Sequence, residues 1–168
     1  MVVSTQYQLS IVPSETEQRV LQTLVQTTYP PESLLALYPP VVTIFRPLTK
    51  DELEDIAFLL TGWGPFTMNI LRTFQVQRTS DGDGLVFPVE SQDCIYMSHI
   101  LSRFLDDVPT YATSYLPFCH VGMVQRGYGQ GLSTQIYSPL PIFVRELTLI
   151  DTRSSQPLST LSLTVEGN

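Results

Sequence analysis

The sequence predicts an α+β fold built mainly on antiparallel sheet, and three observations carry that expectation. Strand-like runs flank DGDG at 81–84, whose glycines supply the positive φ angles of a tight hairpin. Three segments with helical apolar spacing lie scattered among the strands instead of following each one, as a doubly wound parallel sheet requires. The glycine-rich GYGQG at 127–131 opens no helix, so it is neither a dinucleotide fingerprint nor a P-loop.

The elements follow in order. YQLSIV (7–12) alternates and reads as a strand. Ser14 and Glu17 form a capping box, and Val20, Leu21, Leu24 and Val25 continue at helical spacing, so 14–27 is a helix. Proline pairs at 30–31 and 39–40 punctuate the chain, and the β-branched VVTIF (41–45) forms a strand that Pro47 stops. A second capping box, Thr49 with Glu52, opens a helix that buries Leu53, Ile56, Ala57 and Leu60. Beyond GWGP (62–65), FTMNILRTFQVQR (66–78) reads as one long strand, and LVFPV (85–89) returns antiparallel to it. The third helix covers about 92–107, with Cys94, Met97, Leu101, Phe104 and Val108 in one stripe. His99 falls off that stripe and is expected on the surface. An apolar stretch (116–124) and strands at 133–150 and 158–165 complete the chain.

Composition narrows the function. At 168 residues the chain reads as one domain, 1–168, long enough to bury a sizeable core. The net charge is −7, with Lys50 the one lysine beside eight arginines. No basic stripe exists, which argues against an extended nucleic-acid footprint. A small anion held by one or two arginines stays open. The start of the chain lacks the basic and apolar regions of a signal peptide, and no apolar run is long enough to span a bilayer. Cys94 and Cys119 stand alone, which fits reduced thiols in a cytoplasmic monomer. The cysteines and histidines match no zinc spacing, and DxDG lacks the remaining ligands of a calcium loop. No cofactor is expected, and no segment points to a protein partner.

Two stretches look related. YPPVVTIFRP (38–47) and LPFCHVGMVQRG (116–127) each place an apolar β-run after proline, with an arginine shortly afterwards. With the helix and strand runs between them, and the closing FVRELTLIDTRSSQPLSTLSLTVEG, the chain resembles the 2H phosphoesterases, the 2′-5′ RNA ligase-like family. The resemblance implies two pseudo-symmetric lobes of mainly antiparallel sheet, helices outside and a cleft between. It also implies two His-x-Thr/Ser motifs, one histidine serving as general base and the other as general acid on a phosphodiester.

Both motifs depart from that pattern. Val41 stands where the first histidine is expected, with Thr43 as its hydroxyl partner. His120 is the second histidine, with Gly122 where threonine or serine is expected. Residues two apart on a strand share a face. Val41, Thr43, His120 and Gly122 are therefore expected on the cleft floor, and Val41→His with Gly122→Thr is expected to rebuild both motifs. Arg126 and Tyr128 are candidate ligand contacts from the neighbouring loop, and Arg46 a weaker one at the end of the first motif strand. Tyr7, or Tyr115 and Tyr128, are groups that could take over from the missing histidine, though a phenol with a pKa near 10 is a poor base. The implied ligand is a small nucleotide-like phosphate ester. Divergent phosphodiesterase activity and binding without turnover compete as functions, and an interaction protein on an inherited fold is the third reading.

Overall fold

The computed structural model describes residues 6–45, 47–105, 117–128 and 137–164. Its strands are β1 (Tyr7–Ile11), β2 (Leu34–Thr43), β3 (Phe66–Ile70), β4 (Gln75–Arg78), β5 (Asp83–Glu90), β6 (Phe118–Val124), β7 (Leu140–Val144), β8 (Glu146–Asp151) and β9 (Pro157–Ser162). Its helices are α1 (Glu15–Thr28), α2 (Lys50–Thr61) and α3 (Gln92–Phe104). All strand pairings are antiparallel, in the order β7-β3-β5-β6-β2-β1-β8-β9, with β4 also on β5. The sheet curls into a half-barrel with the three helices outside. Only Arg145 separates β7 from β8, although they stand far apart in the strand order. Such a short connection requires the ends of the sheet to come close together, which is the curl seen.

The two lobes repeat one unit. In the first, β1 leads through α1 to its antiparallel neighbour β2; in the second, β5 leads through α3 to its neighbour β6. β2 and β6 then pair with each other, so their ladder is the seam of the molecule. The outer face of the sheet is closed by the helices. Leu21 and Val25 of α1, Ile56 and Leu60 of α2, and Met97 and Leu101 of α3 join Leu9, Val42, Phe87 and Cys119 in one buried cluster.

The expected α+β class and three helices are present and both capping boxes form, but Ala57 of α2 and Phe104 at the end of α3 are exposed instead of buried, and Val108 lies outside the described residues. Ser14 and Glu17 exchange bonds at the start of α1, as Thr49 and Glu52 do at the start of α2. The strands differ in three places. β2 begins at Leu34, not at 41, and runs through Pro39-Pro40. Register shifts between Leu37 and Val41 make that segment a bulge, where ladder amides are not needed and prolines fit. The run 66–78 is two strands lying end to end along β5. The chain turns between them because Leu71 N–H bonds to Pro88 O and Phe74 packs against Tyr29 and Phe87, with ring centroids 5.2 and 4.7 Å away. The run 133–150 holds β7 and β8, which belong to different lobes. His99 is half-buried on α3 instead of fully exposed.

The caps give the first test. Thr49→Ala removes the hydroxyl that accepts from Glu52 N–H in a part-buried setting. It should lower stability by about 1 kcal/mol, seen as a lower urea midpoint with unchanged slope. Ser14→Ala, at an exposed cap, should cost no more.

Candidate functional site at the seam of the lobes

The seam brings Val41 and His120 together. Val41 and His120 are direct cross-strand partners on β2 and β6, so their side chains share a face. It is the inner face, because the next pair, Val42 and Cys119, lies in the helix-covered core. On the other side His120 is partnered by Val86 of β5, which is buried but outside that core cluster. His120 thus stands between two valines in one cross-strand row. Its ring also meets the edge of Phe118, 5.1 Å between centroids at 75°.

These neighbours set its charge. The imidazole is exposed on this face, yet the surrounding protein desolvates it and lowers its pKa below the ordinary 6.5. No carboxylate contributes to the shift. His120 is therefore neutral near pH 7, suited to accept a proton or a hydrogen bond.

Thr43 lies two residues beyond Val41 on the same face and is half-buried. The pairing of Val41 with His120 makes it a diagonal neighbour of the histidine, with Cα atoms about 7–8 Å apart. Its hydroxyl accepts a 2.8 Å hydrogen bond from Nε2 of Gln8. β1 holds that amide in place, because Ser10, two residues on, is the cross-strand partner of Thr43. The strands do not confront one another across a groove. They are hydrogen-bonded neighbours, and the site is the inner surface of their shared ladder.

Gly122 is not brought to this face. Val121 is bulged out of the β5–β6 register, and the alternation expected from a regular strand breaks there. Gly122 pairs with Leu85, a core residue, and with Leu37, packed against the core. A Cβ on Gly122 would lie 2.8 Å from the carbonyl oxygen of Ala36. Ala36 lies between the two register shifts of β2. A Gly122→Thr exchange therefore does not rebuild a motif on the seam.

Arg126 and Tyr128 belong to the turn after β6. Arg126 Nη2 donates to Thr79 O (2.9 Å) and Ser80 O (3.4 Å), and Gly127 N–H donates to Asp83 Oδ2 (2.9 Å). These bonds tether the turn to the β4–β5 hairpin. At about 3.3 Å per residue, the end of β6 is more than 10 Å along the strand from His120. Tyr128 is exposed on that turn. Tyr7 has the parity of Leu9 and Ile11 and does not share the face of Thr43. Arg46 and Tyr115 lie outside the described residues, as do 129–131 of the glycine-rich loop. Gln8, Val86 and Phe118 are site neighbours that the sequence reading does not single out. Gln8 is legible as the polar alternate of strand 7–12, whereas Val86 requires the β5–β6 register.

No family model and no curated protein matches the sequence. Solved structures do match the fold. TT0787 of Thermus thermophilus superposes with a TM-score of 0.66 at 14% identity, over 96% of this chain and 100% of that one. LigT of E. coli in its apo form gives 0.65 at 14% identity, over 95% and 98%. Usb1 of Kluyveromyces marxianus gives 0.58 at 10% identity, over 96% and 98%. The chain has the 2H phosphoesterase fold. At these identities the fold is what is shared. LigT has also been crystallised with 3′-AMP, with ATP and with phosphate.

The close approach at Gly122 is testable. Gly122→Ala should destabilise by about 1–3 kcal/mol through overpacking, whereas Val41→His, on an open face, should cost less. Equilibrium urea unfolding of the two variants should rank them in that order.

Proposed function

We propose that the chain binds a small phosphate ester, of cyclic-nucleotide or RNA-end type, on the inner face of the β2–β6 seam. Turnover there is at most slow. The observation that carries this reading is the pairing of Val41 with His120: the two acid/base positions are adjacent and one of them cannot carry a proton. Neutral His120 acts as the base, taking a proton from the attacking oxygen, and Thr43, oriented by Gln8, holds a phosphate oxygen. The leaving oxygen has no positioned acid opposite. Each such group is worth about 10²–10⁴ in rate, so its absence costs that much. The LigT complexes with 3′-AMP and phosphate support a ligand of this size and charge. Binding with no turnover is the second reading, favoured by the apolar flanks Val41 and Val86 on both sides of the histidine.

Calorimetric titration with 3′-AMP and 2′,3′-cyclic AMP tests the site. His120→Ala should weaken binding about tenfold or more, as loss of a charge-assisted hydrogen bond does, and Thr43→Ala should weaken it less. An anion favours the imidazolium, so binding raises a pKa that starts below 6.5. Affinity should be greatest below the free-state value and fall as pH rises through it toward the bound-state value. Pure protein that binds neither compound at any pH between 5 and 8 (about the range in which histidine titrates) would sink the proposal.

Val41→His tests the chemistry separately. Restoring a second imidazole beside His120 should raise hydrolysis of 2′,3′-cyclic AMP by about two orders of magnitude. A folded variant that binds but shows no gain would establish the second reading.

A further inference from the structure

The helix-covered face of the sheet is incompletely filled under α2. Between that helix and strands β1, β8 and β9 lies an apolar cavity of about 140 Å³. Leu9, Ile56 and Leu60, each at most 2% exposed, form its floor. Half-buried Leu53, Leu149 and Leu161 form its walls, and exposed Ala57, Ser159 and Thr160 its mouth.

The cavity has a cause in the sequence. On β9, Ser159 stands opposite Leu149 and two residues from Leu161, on a face where its neighbours are leucines. On α2, Ala57 is the one member of the stripe Leu53, Ile56, Ala57 and Leu60 without a long side chain. Two small side chains, one on the helix and one on the strand, leave the space that larger ones would fill.

The lining also decides what can enter. None of the residues around the cavity is charged, and its polar members stand at the mouth. A polar group carried to the floor would lose its water without gaining a partner. Water itself needs polar partners to stay, and apolar cavities of about 150 Å³ remain dry yet admit benzene or xenon. Pockets for drug-sized ligands are larger, about 300–1,000 Å³, and a helix about 10 Å across does not fit one of this size. A small apolar molecule does fit, and it regains the dispersion contacts that the lining loses to the void.

We propose that this cavity is a binding site for a small uncharged hydrocarbon or aromatic molecule of benzene size, which completes the packing of α2 on the sheet. It lies on the helix-covered face, whereas Val41 and His120 share the inner one. The two sites are therefore separate, and this one does not depend on the phosphate-ester reading.

Titration of the full chain with benzene, followed by methyl NMR, provides the test, with xenon as a second probe. The expected result is a saturable shift of the Ile56 methyls and of the lining leucines, with a higher unfolding midpoint at saturation. Ser159→Leu continues the leucine pattern of β9 into the cavity. It should raise the unfolding midpoint without ligand and abolish the benzene shifts. If leucine at 159 disturbs folding, Ala57→Leu serves instead, since leucine is a good helix former. A folded wild type with no saturable shift up to the solubility limit of benzene would overturn the proposal. So would shifts that persist undiminished in a folded filled variant, because benzene would then sit elsewhere.

Discussion

The rest of this molecule hangs on the ladder between β2 and β6. Each strand is the last of its own strand-helix-strand unit, and no other pairing joins the two units at the centre of the sheet. The ladder fixes which residues share the inner face, and it does so with backbone hydrogen bonds that are insensitive to side-chain identity. The side chain at position 41 can therefore vary without altering the frame. That same ladder is interrupted by Pro39-Pro40, which would be intolerable in a regular central strand. The bulge between Leu37 and Val41 resolves the conflict, and just before it Ala36 O lies close to Gly122.

Electrostatics at the seam follow from the same register. His120 has valine on both sides and an aromatic edge at one end, with no carboxylate contributing to its shift. An imidazole in such surroundings loses hydration without gaining a counter-charge, which disfavours its protonated form. A second imidazole would repel that proton further but could itself carry one, so a pair could divide the acid and base roles. On the proposed function, Val41 makes that division unavailable and leaves His120 the base role alone.

Much of the fold was legible because its signals are local. The capping boxes at Ser14 and Thr49, the apolar stripes of the helices and the glycine turn before β5 all depend on neighbours within a few residues. The misread places are those where distant strands decide. Phe74 breaks the run 66–78 because it finds Tyr29 and Phe87, and β7 and β8 separate because the curled sheet assigns them to different lobes. At the site, the parity of Val41 and Thr43 could be read because β2 is regular there. The parity of Gly122 could not, because the bulge at Val121 appears only in the register with β5. Arg126 illustrates the same limit. Its place shortly after a motif strand suggested a phosphate contact, whereas its Nη2 donates to the carbonyls of the β4–β5 turn.

The two departures from the His-x-Thr pattern are accordingly different in kind. Val41 stands on the inner face of a regular segment, where a histidine meets no backbone conflict of the kind seen at Gly122. Gly122 is a backbone constraint. Its lack of a Cβ is required by a carbonyl of the neighbouring strand, and its pairing partners point into the core, so a hydroxyl placed there would not reach His120. A site with one imidazole and one oriented hydroxyl, Thr43 held by Gln8, is therefore what this backbone supports. Chemistry that needs a second oriented hydroxyl beside His120 would have to draw it from the ligand or from an element other than β6.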